Sequence, residues 1–291
     1  MIDRIDTIET IETAVAGSSG AVLHCSHTAI DPGKPALLIA LPFGVPATVA
    51  QAAFSAFAPG FNVVTWESRF ILNLDQDFTG DERLAPDEHV EDMLCLLRTL
   101  EIETCHLIGY CSGAGISLLA ASRHPEVFSG LILVNGEYQL FRKGHASTDY
   151  QRSIDTFLPV VASSRRQAGF IFTKMAEISN AKRGGGEPTE LDRQINLPFS
   201  KEEHLFRYAK NYMAYRDFDA LEVAGGVRQA AFVVTGRRDE HSSMENSEAV
   251  AGAIGAVKTF VADEGDHYDF CRAGSSTLAE IGAHLGTLFT Q

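Results

Sequence analysis

The segment Gly109-Tyr110-Cys111-Ser112-Gly113 places a thiol at the centre of a Gly-x-nucleophile-x-Gly pattern. Residues 106–108 before it predict a short buried strand, and residues 114–121 after it predict a helix. At so sharp a turn the central residue adopts a strained backbone, so the positions two residues away must be small. Centring the pattern on Cys111 puts glycine at both positions, whereas centring it on Ser112 does not. The spacing therefore favours Cys111 as a nucleophile, the alternative being a buried structural cysteine.

A cysteine nucleophile needs a base, and the base needs a group that orients it. His267 follows the last apolar run of the chain, within Gly265-Asp266-His267-Tyr268, and Asp239 follows the preceding run, within Gly236-Arg237-Arg238-Asp239. If the runs are parallel strands, the loops at their carboxyl ends meet at one edge of the sheet. There His267 would take the thiol proton or hold the thiolate as an ion pair, and Asp239 would fix the imidazole tautomer. The alternative for each is a solvated loop residue.

Short apolar runs alternate with helical patterns along the chain, which is typical of a mostly parallel, doubly wound α/β sheet covered on both faces. The predicted strands are 36–41, 62–66, 105–108, 130–134, 230–235 and 257–261. The predicted helices are 46–58, 86–100, 113–122, 247–254 and 276–288. Residues 13–15 and 21–24 predict an antiparallel pair at the edge of the sheet.

Residues 139–225 interrupt this alternation and are too long for a simple loop between two strands. Helical patterns at 150–163 and 201–215 predict an inserted helical lid, which leaves 1–138 and 226–291 as the core. The lid holds 13 Lys and Arg against 11 Asp and Glu, so its cations could meet an anionic ligand or simply form a solvated surface. These cations include Arg142, Lys143, Arg152, Arg165, Arg166, Lys174, Lys182 and Arg183. Gly184-Gly185-Gly186 predicts a hinge or a loop.

Composition excludes several classes of function. A formal net charge of −14 over 291 residues argues against a nucleic-acid surface. No apolar run approaches the roughly 20 residues of a membrane span, and the polar start does not resemble a signal peptide, so we expect a soluble cytoplasmic protein. The five cysteines lack CxxC spacing, which predicts reduced thiols, and no metal or cofactor is implied. His24-Cys25-Ser26-His27 is interpreted as the end of a strand rather than a metal site.

These motifs and elements, from Ala36 nearly to the C-terminus, resemble the α/β-hydrolase superfamily, with the lid at the family's usual insertion point. The resemblance implies that Cys111 is the nucleophile, Asp239 the acid and His267 the base of a catalytic triad. Glu137, which follows the predicted strand 130–134, is a rival acid because some members place the acid there.

The resemblance also implies an oxyanion hole formed by the backbone N–H groups of Ser112 and Val45. Val45 lies in the turn Pro42-Phe43-Gly44-Val45, where many relatives have His-Gly. Phe43, Tyr110, Tyr208 and Tyr212 are the expected substrate contacts. The aromatic residues Phe157, Phe170 and Phe172 of the lid are expected to extend an apolar acyl pocket.

Serine is the usual nucleophile of this superfamily, but similar cysteine forms occur among dienelactone hydrolases and some thioesterase or acyl-transfer domains. A neighbouring imidazolium and a helix N-terminus both favour a reactive thiolate. The function implied is therefore that of a thioesterase or acyltransferase, which forms an acyl-cysteine from a small-molecule substrate or from an acyl chain on coenzyme A or a phosphopantetheinylated carrier protein. An ester or lactone hydrolase is the first alternative, and a non-catalytic binding protein on the same scaffold is the second.

Overall fold

The strands of the described residues form one sheet that brings the predicted site residues to a common edge. The computed structural model describes residues 8–181, 187–255 and 257–288. Its strands are β1 (Ile11–Ala16), β2 (Val22–His27), β3 (Ala36–Ala40), β4 (Asn62–Trp66), β5 (Cys105–Tyr110), β6 (Phe128–Val134), β7 (Ala231–Gly236) and β8 (Val257–Ala262). Its α-helices are α1 (Gln51–Phe57), α2 (Pro86–Thr99), α3 (Ser112–Arg123), α4 (Asp149–Ser163), α5 (Arg165–Ala181), α6 (Glu190–Ile195), α7 (Glu202–Tyr215), α8 (Ala220–Ala224), α9 (Met244–Ala253) and α10 (Ser276–Leu288).

The strand order is β1-β2-β4-β3-β5-β6-β7-β8, and every pair from β4 to β8 is parallel. This order confirms the predicted doubly wound, mostly parallel sheet. The antiparallel pair β1 and β2 lies at one end of the order, which confirms the predicted edge pair. Strand β5 ends two residues later than expected, because Gly109 and Tyr110 still pair with Leu133 and Val134 of β6.

The central strands are buried on both faces because their sequences are almost continuously apolar. In β3, Leu38 packs into the core on one face of the sheet, whereas Leu37 and Ile39 pack into the core on the other. Helices α2, α3 and α9 cover the first face, and α1 and α10 cover the second. The alternating connections therefore place helices on both sides of the sheet and leave the carboxyl ends of the strands for the site.

Helices α4 to α8 lie between β6 and β7 in the chain, within the segment 139–225 for which we keep the name lid. Helix α4 begins at a capping box, in which Thr148 Oγ1 accepts from Gln151 N and Gln151 Oε1 accepts from Thr148 N. The apolar side of α4, with Ile154 and Leu158, is buried in the same core as Leu205 of α7. The lid is thus packed onto the sheet through apolar side chains.

Most of the lid cations named from the sequence have carboxylate partners. Arg142, Lys143, Arg152, Arg165 and Lys174 each form a salt bridge with an Asp or Glu. Lys182, Arg183 and Gly184-Gly185-Gly186 lie outside the described residues. The paired cations favour a solvated helical surface over an anion-binding one.

All five cysteines are free thiols, as expected. Cys25 is fully buried, and both ring nitrogens of His27 are hydrogen-bonded, to Thr13 Oγ1 at 3.1 Å and to Thr28 O at 2.7 Å.

Within the described ranges, no helix combines the length and the apolar character needed to cross a membrane.

Candidate active site

Cys111 lies at the turn between β5 and α3, in a backbone conformation that L-residues rarely adopt (φ 55°, ψ −123°). Its N–H donates to Val134 O of β6 at 3.0 Å, which fixes the turn to the sheet. A Cβ atom on Gly109 would lie 2.5 Å from Ser117 Oγ, and one on Gly113 would collide with the Ala40 carbonyl. The two glycines are therefore a steric requirement of the turn at Cys111, as the spacing predicts.

His267 and Asp239 meet beside Cys111. Nδ1 of His267 donates to Oδ2 of Asp239 at 2.8 Å, and His267 lines the same cavity as Cys111. The Asp239 carboxylate also accepts bonds from the backbone N–H groups of His241 (2.7 Å) and Ser242 (2.9 Å), and from Ser242 Oγ (2.6 Å). The acid is therefore held by its own loop, and the imidazole is oriented between acid and thiol.

The charges of this group stabilise one another. Burial alone would lower the pKa of His267, but the Asp239 carboxylate and Cys111 outweigh it and raise that pKa to about 10. Burial likewise opposes ionisation of Asp239, yet the imidazolium and the hydrogen bonds from Ser242 hold the pKa of Asp239 below its usual value. Because His267 is only 4% exposed, bulk water does not screen these interactions.

Asn135 ties the three loops of the site together, and the sequence reasoning missed it. Its side chain donates to the carbonyls of Asp266 (3.1 Å) and His267 (3.0 Å) and accepts from Gly236 N (2.8 Å). Its carbonyl accepts from Ser242 Oγ at 3.0 Å. Asn135 follows β6 with φ 45°, a left-handed conformation that Asn tolerates better than most residues. Its position directly after the apolar run of β6 is the sequence feature that could have indicated its role.

Glu137, the rival acid, lies in the site but does not hydrogen-bond His267 Nδ1, which Asp239 occupies. Its carboxylate accepts from Gln139 N at 2.9 Å and from the side-chain amide of Gln151. Burial raises the pKa of Glu137 to about 7, although these hydrogen bonds favour its ionised form. The structure therefore brings a second carboxyl group to the site, with partners different from those of Asp239.

In the turn after β3, the backbone N–H that lies nearest the start of α3 is not that of Val45, which was expected to form part of the oxyanion hole. Val45 N donates to Pro42 O at 3.4 Å within the turn, and Gly44 N donates to Ser68 Oγ at 2.9 Å. Phe43 N instead donates to Ser112 Oγ at 3.0 Å, which places the Phe43 amide beside Cys111. The Val45 amide is thus engaged in its own turn, whereas the Phe43 amide faces the start of α3.

A cavity of about 90 Å³ opens onto Cys111. It is lined by all four residues that were expected to contact substrate: Phe43, Tyr110, Tyr208 and Tyr212. The residues that line this cavity are Pro42, Phe43, Val45, Val49, Tyr110, Cys111, Ser112, Glu137, Gln139, Tyr150, Gln151, Ile154, Ile195, Pro198, Phe199, Tyr208, Tyr212, Tyr215, His241, His267 and Tyr268. The Tyr110 hydroxyl donates to His267 O at 2.9 Å, so this side chain also positions the histidine.

A wider groove of about 610 Å³ lies on the lid beside this cavity and shares Tyr150, Ile154 and Phe199 with it. Phe157 and Phe172 line this outer groove rather than the inner cavity. Phe170 is 57% exposed and lines neither. The lid aromatics are therefore divided between two compartments and the surface.

Asp239, His241 and His267 each offer one potential metal-ligand atom within 4.8 Å of the others. A metal bound there would displace the hydrogen bond between His267 and Asp239. The His241 and His267 rings are tilted by 33° with centroids 4.8 Å apart, and burial together with the His267 charge lowers the pKa of His241 to about 4. Asp239 and His267 are hydrogen-bonded to each other at 2.8 Å and His241 Nε2 is hydrogen-bonded to the Tyr268 hydroxyl at 3.2 Å, so each of the three side chains has a partner within the site.

Several known proteins are similar to this chain. The chain is 20% identical over 257 residues to an L-allo-isoleucyltransferase of Pseudomonas savastanoi pv. glycinea, and the match covers 87% of each protein. It is 27% identical over 106 residues to a strigolactone esterase of Arabidopsis thaliana, covering 36% of this chain and 40% of that one. The solved esterase from Exiguobacterium antarcticum is similar with a TM-score of 0.72 at 16% identity, covering 97% of this chain and 100% of the esterase.

A family model described as the alpha/beta hydrolase fold matches residues 76–271, which is more than half of the chain. The matched range includes the turn at Cys111, the loop at Asp239 and the loop at His267. The order of the mostly parallel sheet agrees with that match. The chain belongs to the α/β-hydrolase fold family.

Proposed function

We propose that this protein is an acyl-transfer enzyme that carries its substrate's acyl group as a thioester on Cys111. One observation supports this most directly: Cys111 is held at a strained strand-to-helix turn, in the same cavity as His267, which Asp239 orients through a 2.8 Å hydrogen bond. A nucleophile, a base and a group that orients the base are the parts that covalent acyl transfer requires.

In the first step, the Cys111 thiolate attacks the carbonyl carbon of an acyl thioester while His267 is positively charged. The tetrahedral intermediate expels the donor's sulfur, which takes the proton from His267 and leaves as a thiol. In the second step, His267 takes a proton from the acceptor, which attacks the acyl-cysteine and restores the thiolate. Asp239 keeps the imidazole oriented and stabilises its charge in both steps.

Backbone amides are suited to stabilise the developing oxyanion. Ser112 lies at the first position of α3, so its N–H has no carbonyl partner within its own helix. The helix dipole also stabilises negative charge at this end of the helix. For the second donor, Phe43 is a better candidate than Val45, because its N–H lies against Ser112 Oγ while that of Val45 is bonded to Pro42 O. Rotation of the Ser112 hydroxyl would free the Phe43 amide.

The two compartments support a thioester donor with a small acyl group. The inner cavity of about 90 Å³ is smaller than the roughly 150 Å³ cavity that holds benzene in an engineered protein, so it favours a short acyl chain. The outer groove is lined by apolar side chains and is large enough for an extended arm such as pantetheine. Such an arm would belong to coenzyme A or to a carrier protein. The relative whose name denotes an aminoacyl transferase matches 87% of this chain, which also favours transfer.

Hydrolysis of a small ester or lactone is the second candidate, because a strigolactone esterase is among the relatives and the inner cavity is small. The two candidates share the acyl-cysteine and differ in its fate. Water would release a free acid, whereas a thiol or amine acceptor would carry the acyl group away.

Intact mass measurement after incubation with short acyl-pantetheine thioesters tests the proposal. We expect an acyl adduct that peptide mapping places on Cys111, that Cys111→Ala abolishes and that Cys95→Ala retains, since Cys95 is a partly exposed thiol on α2. Addition of a free thiol acceptor should remove the adduct faster than water does. An adduct on another residue would refute the mechanism, faster loss to water would favour the hydrolase, and turnover of neither esters nor thioesters would favour a binding protein.

A further inference from the structure

Glu137 is fixed next to Cys111 through both its backbone and its carboxylate. Its N–H donates to the Cys111 carbonyl at 3.0 Å, and its carbonyl accepts from the Tyr215 hydroxyl at 2.6 Å. Its two carboxylate oxygens accept from Gln139 N at 2.9 Å and from the Gln151 side chain. Gln139 adopts a left-handed conformation (φ 57°) that aims its amide at Glu137. The carboxylate is therefore held in one orientation on the wall of the catalytic cavity.

Glu137 has no cationic side chain to pair with in that cavity, since neither Lys nor Arg is among the described residues that line it. The positive charge of His267 is already matched by Asp239 at 2.8 Å. An enclosed carboxylate without a counter-ion is costly, and the two N–H groups that donate to its oxygens offset only part of that cost. A structural role as the anchor of Gln151 therefore leaves the charge of Glu137 without a partner.

The rest of the cavity wall also suits a cation. Six tyrosine rings line it: Tyr110, Tyr150, Tyr208, Tyr212, Tyr215 and Tyr268. The faces of aromatic rings attract ammonium groups, and an acidic group beside such rings is a common way to bind them. With Glu137 ionised, the charges of His267, Asp239 and Glu137 add up to an excess of negative charge in the site.

We propose that Glu137 binds a protonated amine carried by the acyl group, so that the substrates are amino-substituted acyl thioesters, above all α-aminoacyl thioesters. This inference rests on the proposed acyl transfer at Cys111. An α-amine is bonded to the carbon next to the thioester carbonyl, so an aminoacyl group on Cys111 Sγ keeps its amine within the small cavity that Glu137 lines. The ammonium supplies the counter-ion that the wall lacks, and the amide donors of Gln139 and Gln151 hold the carboxylate ready for it.

Matched thioester pairs test the inference. The probes are alanyl and propanoyl, valyl and 3-methylbutanoyl, and leucyl and 4-methylpentanoyl thioesters of pantetheine, each pair differing only in the amine. Acylation of Cys111 is followed by rapid quench and intact mass. We expect the aminoacyl member of at least one pair to react faster by roughly 10- to 100-fold, since a hydrogen bond to a charged group contributes about that much. If no pair acylates Cys111, the proposed function fails; if both members of every reactive pair react equally, the function stands and the ammonium site is refuted.

Two variants locate the preference. Glu137→Gln should bring the ratio of the two rates close to one, while Glu137→Asp, which keeps the charge, should retain part of the preference. Glu126 is an exposed carboxylate in the loop between α3 and β6. Glu126→Gln therefore serves as the matched control and should keep the full ratio. An unchanged ratio in Glu137→Gln would refute the assignment of the site to Glu137. The assignment would also be refuted if Glu137→Gln slowed only the second step, in which the acceptor attacks the acyl-cysteine.

Discussion

Asp239 accepts a 2.8 Å hydrogen bond from His267, although the two residues follow different strands, β7 and β8. The parallel pairing of β7 with β8 aligns the ends of these strands, from Gly236 to Ala262, so the two loops begin side by side. Further bonds hold each loop in place, with Ser242 on the Asp239 side and Asn135 bridging to His267. The geometry of the pair is therefore set by the sheet before any substrate binds.

Replacement of Asp239 by Asn should slow acylation of Cys111 by about 10²- to 10⁴-fold, because an amide can leave His267 in the wrong tautomer and no longer stabilises its charge. Asp263→Asn is the matched control, since Asp263 is exposed and is bonded to Arg237 rather than to the site. Rapid-quench acylation with a reactive thioester measures the effect. A loss of equal size in both variants would contradict the role given to Asp239.

Replacement of Cys111 by Ser should stop transfer to thiol acceptors more completely than it stops acylation. The acyl group would move from a thioester to a more stable oxygen ester, and its return to a thiol would be unfavourable. We therefore expect an acyl-serine that accumulates and is lost slowly to water, visible as a persistent mass adduct. If Cys111→Ser transferred acyl groups to thiols at the wild-type rate, the proposed advantage of sulfur would be wrong.

Much of the fold follows from the sequence because its signals are local. The apolar runs of β3 to β8 and the positions of α2, α3 and α10 agree with the predicted elements to within about two residues at most ends. The steric rule that requires Gly109 and Gly113 holds in the structure. The order of Cys111, Asp239 and His267 along the chain predicts their proximity because parallel strands end at one edge.

The finer features of the site depend on backbone angles that no local pattern encodes. Asn135 and Gln139 both adopt positive φ, and these conformations aim their polar groups at His267 and Glu137. The same reason explains the turn after β3, where the directions of the amides decide between Phe43 and Val45. Residue types alone do not determine where such N–H groups point.

Truncation of Phe199 to Ala should extend the range of acyl groups towards longer chains. Phe199 forms part of the wall shared by the inner cavity and the outer groove, and its ring packs edge-on against Tyr208 with centroids 5.3 Å apart. Removing it joins the two compartments. Phe170→Ala removes the same side chain from an exposed site and should leave the chain-length profile unchanged. Rates across acyl-pantetheine thioesters of increasing length measure the effect, and identical profiles in the two variants would contradict it.

Glu137→Gln should make the free protein more stable at pH 8 than the wild type, with a difference that shrinks towards pH 4.5. Burial raises the pKa of Glu137 from 4.5 to about 7, so the folded state binds more protons than the unfolded state between these values. The contribution of the neutral carboxyl is fully present below pH 4.5 and is lost as pH rises through about 7. Gln does not titrate, and its advantage at pH 8 should be on the order of 1–3 kcal/mol.

Chemical denaturation of both proteins at pH 5, 6, 7 and 8 measures this difference, with Glu126→Gln as the control for loss of an exposed carboxylate. A stability difference that stays constant across this range would mean that Glu137 titrates normally. An ammonium ligand should reverse the order at pH 8, because it stabilises ionised Glu137 and has no charge to pair with in the Gln variant. The carboxylate would then be a feature that weakens the empty protein and strengthens the complex.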